Sequence, residues 1–152
     1  MIKKISIIAV CTLLMLYSHS LASENNLIIK FGQMEKGSSG YYVANETTTI
    51  PLKLKDSGFR FGFTVKHAQN SSFDGYKIIY LPAAAKEIIG DLKRLTILND
   101  GKIIKDSGSK FNGLWSNPFW FDEGDPLGKW KIEIYLNGEL MKTIDFTVVP
   151  SN

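Results

Sequence analysis

Cysteine and histidine are both scarce in this chain, which has one cysteine and two histidines among 152 residues. A single thiol cannot form an internal disulfide, so the sequence excludes a small disulfide-stapled scaffold. The same shortage leaves too few ligands for a zinc site built from cysteine and histidine. Intrinsic disorder is excluded as well, because 44% of the residues are hydrophobic and only 22% are charged. The sequence therefore predicts a folded domain that depends on its own apolar core.

The chain has no hydrophobic run long enough to cross a membrane as a helix. A basic start, Met1–Lys4, precedes an apolar run of 13 residues, Ile5–Tyr17, whereas a spanning helix needs about 20 residues. Small residues at Ser20 and Ala22 then match the pattern that a signal peptidase accepts. The sequence predicts a signal peptide over residues 1–22 with cleavage near Ala22, and a final location in the periplasm or outside the cell. An uncleaved anchor is the alternative that the length disfavours.

Cleavage would leave a nearly neutral chain in residues 23–152. Loss of Lys3 and Lys4 lowers the formal net charge from +3 to +1 and leaves one histidine, His67, and no cysteine. Nucleic-acid binding requires a clustered basic face, so we predict no nucleic-acid partner. About 130 residues can bury roughly two-thirds of their unfolded surface, which favours one domain with one core.

Hydrophobic residues alternate with polar ones along much of the mature chain, the period of a strand with one buried face. The alternation is clearest in residues 60–67, 130–136 and 143–148. Weaker candidates are residues 27–31, 47–54, 77–81, 92–98 and 113–121. Short strands separated by turn residues predict an all-β fold, a single immunoglobulin-like antiparallel β-sandwich of about seven or eight strands. The expected core includes Phe61, Trp130, Ile132 and Phe146.

Two turns can be predicted in more detail. Residues 98–102 favour a three-residue hairpin loop with Gly101 in the left-handed region and Ile97 opposite Ile103. The turn at Asn137–Gly138 poses a register problem, since strict two-residue pairing would set Trp130 on the wrong face. We therefore expect either a three-residue loop or a bulge in the strand that follows, which would return Trp130 to the row of inward side chains.

Helical composition is confined to residues 82–90, which begin with proline and end with glycine. One or two helical turns are expected there, and the alternative is a plain connecting loop.

Catalytic chemistry finds little support in the sequence. A Ser-His-Asp arrangement would need His67, which follows Val65 at the end of a predicted strand, so we expect a strand-end histidine with a satisfied hydrogen bond. No nucleophile-elbow sequence and no phosphate-binding glycine loop occur. The sequence predicts that the protein is not an enzyme and needs no cofactor.

Residues 122–125 form the densest acidic cluster. Closely spaced oxygen ligands beside a glycine could coordinate calcium, but the segment lacks the regular ligand spacing of a calcium loop. An ordinary turn between strands is the simpler interpretation. Paired carboxylates for glycoside hydrolysis are disfavoured, because neighbouring residues in one loop fix no separation across a sugar. We predict no metal site and leave calcium at this loop as an alternative.

Aromatic residues are concentrated just before this acidic cluster, and they supply the candidate binding residues. Exposed rings can bind sugars or a partner protein, whereas the alternative is that they pack beneath a neighbouring loop. Arg60, flanked by phenylalanines, can lay its guanidinium beside aromatic rings. The candidate binding residues are Trp115, Phe119, Trp120, Asp122 and Arg60.

Five stretches of the chain share a pattern with a known family: Thr49–Pro51, Gly58–Phe63, Trp120–Phe121, Pro126–Tyr135 and Phe146–Val149. In these stretches the chain resembles a bacterial domain-of-unknown-function family, the one numbered 3859. The resemblance spans most of residues 29–149 and implies an exported bacterial domain without an assigned activity, so it supplies no catalytic residue.

The function predicted from the sequence is a non-catalytic module of the envelope or periplasm that binds another envelope or secreted protein. An inhibitor or immunity-type protein is one concrete form. The alternatives are a carbohydrate- or small-ligand-binding protein that uses the segment 115–122, and a structural component of the envelope.

Overall fold

The computed structural model describes residues 27–88 and 91–151, so the predicted signal peptide lies outside the described residues. The described chain contains eleven strands and two 3₁₀ turns, Lys55–Ser57 and Leu92–Arg94. The strands are β1 (Leu27–Gly37), β2 (Gly40–Glu46), β3 (Thr49–Leu52), β4 (Arg60–His67), β5 (Ser72–Tyr80), β6 (Leu95–Leu98), β7 (Ile103–Asp106), β8 (Ser109–Asn112), β9 (Leu114–Phe119), β10 (Gly128–Leu136) and β11 (Glu139–Pro150).

The strands form two sheets of unequal size. The smaller sheet has the order β2-β1-β4-β9, and the larger has the order β3-β11-β10-β5-β7-β6. Strand β8 also pairs with β5, at the end of β5 that β7 does not reach. The predicted all-β sandwich is confirmed. Its pairs are antiparallel except for β3 and β11, which run parallel, and its strand number exceeds the prediction because β2, β7 and β8 are short or largely exposed.

The core lies between the sheets and is built from the alternating rows that the sequence shows. Phe61, Phe63 and Val65 of β4 are buried and face a buried row that includes Ile132 and Phe146 in the larger sheet. The rings of Phe61 and Phe146 lie 5.9 Å apart between centroids. Each side chain of this size contributes about 1.5–3 kcal/mol when fully buried. The predicted core residues, Trp130 among them, are all buried.

The β10–β11 hairpin confirms the predicted bulge. Its two turn residues, Asn137–Gly138, both have positive φ, at 50° and 86°, the geometry that matches the twist of a tight hairpin. The register then shifts by one residue beyond Ile134, which pairs with Lys142. The extra residue brings Trp130 directly opposite Phe146, so that both rings face the core.

The β6–β7 hairpin differs from the prediction in the length of its loop. Gly101 has the predicted left-handed conformation, with φ of 84°. The register sets Ile97 opposite Ile104 rather than Ile103, so the loop has four residues instead of three. The reason is that the two residues before the glycine also adopt positive φ, near 50°, and the chain needs one more residue to turn back.

The segment between β5 and the second 3₁₀ turn is a loop where it is described, at residues 82–88, and the rest of the predicted helix lies outside the described residues. The Lys86 backbone N–H instead donates to the Gly124 carbonyl, so a tertiary hydrogen bond replaces a helical one. None of the helical segments within the described residues has the length and hydrophobicity that crossing a membrane requires.

Candidate binding cleft

A cleft of about 300 Å³ opens where the larger sheet extends beyond the edge of the smaller one. We call it the open-edge cleft. Its floor is formed by β5, β7 and β6, and its wall is formed by the end of β9 and the segment that follows, including Trp120 and Asp122. Because β9 is the last strand of the smaller sheet, no strand within residues 27–88 and 91–151 covers the inner face of β7 and β6 at this point.

The floor of the cleft is apolar because it continues the inward rows of the core. Ile79 of β5 pairs with Ile104 of β7, and both line the cleft. Leu95 of β6 lines it as well, and the core residues Trp130 and Phe146 close its inner end. The described part of the loop between β5 and β6 also lines the cleft, through Ala85, Glu87, Ile88 and Asp91. The cleft therefore combines an apolar floor with a few polar groups at its sides, which is typical of a binding site.

A buried ion pair stands at one side of this apolar floor. Lys77 is only 8% exposed, and its Nζ lies 2.9 Å from Oδ2 of Asp106. The other carboxylate oxygen of Asp106 accepts a hydrogen bond from the backbone N–H of Gly108 at 2.8 Å and lies 3.5 Å from the Arg94 guanidinium. Lys77 is the only charged residue buried in the described part of the chain.

The pKa values of the pair follow from this environment. Burial lowers the pKa of Lys77, against the opposing effect of its hydrogen bond to Asp106. Burial raises the pKa of Asp106, but hydrogen bonds from Gly108 and Lys77 and the nearby positive charges lower it further, so that the pKa lies below its ordinary value. The carboxylate is thus held ionised beside the ammonium group.

Three of the five candidate binding residues lie at the cleft. Phe119 is half-buried in the wall, and its ring centroid is 5.7 Å from Nζ of Lys77. Trp120 donates a hydrogen bond from Nε1 to Oδ2 of Asp122 at 3.1 Å. Trp120 lies between the two interpretations left open for this segment, exposed rings or rings packed beneath a loop, because it is half-buried at the cleft wall.

Trp115 lies away from the cleft, within the core. Its side chain is 3% exposed, and its ring packs edge-on against Phe63 at 4.8 Å and stacks on Phe111 at 4.7 Å. The reason is alternation along β9, which directs Trp115 toward the interior. A ligand therefore has no access to this candidate residue.

Arg60 lies behind Trp120 rather than in the cleft. Its guanidinium carbon is 5.6 Å from the Trp120 ring centroid, and the Nζ of Lys55 is 5.1 Å from the same ring. The Arg60 Nη1 donates to the backbone carbonyls of Phe59 at 2.7 Å and Lys55 at 3.2 Å. Both cations lie against the Trp120 ring, so Arg60 supports the rim of the cleft and does not line it.

The acidic loop forms a turn. Oδ2 of Asp125 accepts a hydrogen bond from the backbone N–H of Asp122 at 2.8 Å. Burial raises the pKa of Asp125 above its ordinary value, although the hydrogen bond from the Asp122 N–H opposes this rise, and the charge of the Asp122 carboxylate adds to it. Among residues 27–88 and 91–151, no group of three or more His, Cys, Asp or Glu residues is arranged to hold a metal ion.

The sequence prediction missed the charged residues of the cleft. Lys77, Arg94 and Asp106 are far apart in the chain and belong to different elements, so no local motif connects them. One signal was available: Lys77 occupies the inward row of β5 between Gly75 and Ile79. A lysine at such a position needs a partner when it is buried.

His67 occupies the position that the sequence predicted. It is the last residue of β4, and its Nδ1 accepts a hydrogen bond from the backbone N–H of Gln69 at 3.3 Å. The prediction of a strand-end histidine with a satisfied hydrogen bond is confirmed.

Comparison with known proteins supports the fold. The chain is similar to the crystal structure of an immunoglobulin-like protein from Pseudomonas aeruginosa, with a TM-score of 0.52 and 17% identity over 80% of this chain and 92% of that one. No curated protein matches the chain. The family model of the PM0630 beta sandwich domain matches residues 29–149, the span that also carries most of the resemblance to the family numbered 3859. With most of its length matched, the chain belongs to the PM0630 beta sandwich domain family.

Proposed function

We propose that this protein is a non-catalytic binding module of the bacterial envelope, and that a protein partner inserts an apolar side chain into the open-edge cleft. The observation that carries the proposal is the cleft itself, an apolar floor between the loop after β5 and a half-buried tryptophan. The few residues that dominate the binding energy of protein interfaces are often tryptophan and arginine, and they lie in or beside well-packed pockets of this kind.

The rim of the cleft is suited to a protein partner. Trp120 is positioned before binding, because Asp122 fixes its indole nitrogen and Lys55 and Arg60 lie against its ring. A side chain that is held in place loses little conformational entropy when a partner covers it. An inhibitor or immunity-type role is the concrete form that we include in the proposal.

A non-catalytic role is supported by the placement of His67. It is the only histidine among the described residues, and its hydrogen bond joins it to its own turn rather than to a serine hydroxyl. Export is part of the proposal and rests on the sequence of residues 1–22 and on the resemblance to the family numbered 3859.

Site-specific photo-crosslinking in the envelope tests the docking site. A benzoyl-phenylalanine replaces Trp120 in one variant, and in a matched control it replaces Tyr42, an exposed aromatic residue of β2 that does not line the cleft. We expect a crosslinked protein partner from position 120 and not from position 42. Equal crosslinking from both positions, or none from position 120, would contradict the proposal.

A small ligand is the second candidate, because about 300 Å³ falls at the lower end of the volumes of ligand pockets. Native mass spectrometry of protein purified from the envelope tests it. A bound small molecule that is retained by the wild type and lost when Leu95→Trp narrows the cleft would favour this candidate. An unliganded mass for both proteins would argue against it.

A further inference from the structure

Strand β6 forms a free edge of the larger sheet. Within the described chain it pairs only with β7, so its other side presents unpaired backbone groups. Such an edge is a template for pairing with another chain, and proteins usually protect it with charged residues, proline or bulges.

The other outer strands of the described chain carry such protection, and β6 does not. Pro51 lies in β3, Lys110 in β8 and Pro118 in β9. Strand β2 ends at Glu46, and its register with β1 is interrupted. Strand β6, with the sequence Leu-Thr-Ile-Leu, contains no proline, glycine or charged residue.

The hydrogen-bonding direction of β6 follows from its ladder with β7. The Ser107 backbone N–H donates to the Arg94 carbonyl at 2.8 Å. Inward and outward backbone groups alternate along an antiparallel strand, so Thr96 bonds toward β7. The N–H and C=O groups of Ile97 and the C=O group of Leu95 therefore point to the free edge, where a second strand can bond to them. The Leu95 N–H instead donates to the Leu92 carbonyl, as the cap of the second 3₁₀ turn.

Both faces of this edge carry exposed apolar side chains. Ile97 is 44% exposed and Leu98 is 49% exposed, and they lie on opposite faces of the strand because they are neighbours in it. Leu92, just before the strand, is 59% exposed. A strand added at this edge would cover apolar surface on both faces of the sheet.

The charges that flank β6 are complementary to those of a second copy in antiparallel orientation. Asp91 and Lys93 precede the strand, and Asp100 and Lys102 follow it. None of the four belongs to an ion pair within the described residues. Antiparallel pairing about a two-fold axis brings the end of β6 that carries Asp91 and Lys93 beside the end that carries Asp100 and Lys102 in the second copy, so that Lys93 and Asp100 of the second copy lie at the same end of the contact. Parallel pairing would instead bring like charges together.

We propose that β6 pairs with β6 of a second copy of this chain, antiparallel about a two-fold axis, and joins the two larger sheets into one. The contact is isologous, so it closes as a dimer. An edge contact is small and belongs to the weak end of protein interfaces. The proposal does not depend on the function of the open-edge cleft.

Sedimentation velocity and light scattering of the exported, purified protein over concentrations from about 1 µM to 1 mM test the proposal. We expect a monomer–dimer equilibrium within this range. Ile97→Pro removes an N–H that points to the free edge and leaves the bonds to β7 intact, so it should abolish the dimer. The control Ile97→Ala keeps that N–H and should retain more dimer than the proline variant. A monomer at every concentration would overturn the proposal.

A charge exchange separates this contact from any other dimer. Lys93→Asp sets like charges against each other and should weaken the dimer by about tenfold. The double variant Lys93→Asp/Asp100→Lys restores opposite charges and should return the dissociation constant to within about threefold of the wild type. A dimer that survives Ile97→Pro, or a double variant weaker than the single one, would overturn the proposal. These variants leave Trp120 unchanged, so the crosslinking test of the cleft remains independent.

Discussion

Removal of the Asp106 carboxylate tests how the ion pair beside the cleft is stabilised. In Asp106→Ala the ammonium group of Lys77, 8% exposed, loses the partner that lies 2.9 Å away. The backbone N–H of Gly108 loses its acceptor as well. Breaking a buried ion pair costs about 3–5 kcal/mol. Because the pair borders an open cleft, water can reach part of it, and we expect a loss of about 3 kcal/mol in the free energy of unfolding.

The matched double variant removes both charges. In Lys77→Met/Asp106→Leu no buried charge remains among the described residues, and apolar side chains replace the pair on an apolar floor. Such replacements are often neutral or stabilising, so we expect stability within about 1 kcal/mol of the wild type. Urea unfolding followed by tryptophan fluorescence measures both variants, with unchanged m values as the control for two-state behaviour.

Two results would refute this reasoning. One is an Asp106→Ala variant that loses less than about 1 kcal/mol, the size of a surface ion pair. The other is a double variant that is as unstable as the single variant, which would mean that the pair contributes net stability.

Three further predictions concern pH and packing. Burial raises the pKa of Asp106, but hydrogen bonds and positive charges lower it more, so the stability that Asp106 contributes is present above its unfolded pKa of about 4 and is lost as the pH falls through its folded pKa. The difference in unfolding free energy between the wild type and Asp106→Asn, measured in urea, should therefore narrow from pH 7 to pH 3. A constant difference would contradict this prediction. Gly75→Ala should lower the free energy of unfolding by about 2 kcal/mol, because a Cβ there would lie 2.8 Å from the buried Trp115 ring. Gly138→Ala should lower it by about 1 kcal/mol from backbone strain alone, since nothing lies within 4 Å of its Cβ position. Trp130→Ala should cost about 3–5 kcal/mol in thermal or urea unfolding, and a loss below 1 kcal/mol would place the ring outside the core.

Alternation identified the core because burial of one sheet face imposes it on the sequence. Phe61, Ile132 and Phe146 stand in clear period-two rows, and all three are buried. The register conflict at Trp130 even indicated the bulge, since a one-residue slip would turn a whole row to the solvent. Strands β2 and β8 escaped prediction because they are largely exposed or short, so packing leaves little trace in their sequences.

The candidate site was only partly predictable. The aromatic segment of Phe119 and Trp120 could be identified from composition, but whether each ring points to the core or to the cleft depends on where β9 ends relative to β7 of the other sheet. The ion pair of Lys77 and Asp106 forms only when β5 and β7 are paired, and no local sequence motif predicts that pairing. Arg60 was correctly expected beside an aromatic ring, yet the ring is Trp120, which lies beside it across the sheet rather than next to it in the chain.

Filling the open-edge cleft tests the central claim most directly. Ile104 lines the cleft, and its neighbour Ile103 lies on the opposite face of the same strand, so Ile104→Trp and Ile103→Trp form a matched pair. With folding of both confirmed by circular dichroism, we predict that Ile104→Trp abolishes the crosslinked partner captured from position 120 and that Ile103→Trp preserves it. Undiminished capture in Ile104→Trp would contradict the claim that the cleft receives the partner.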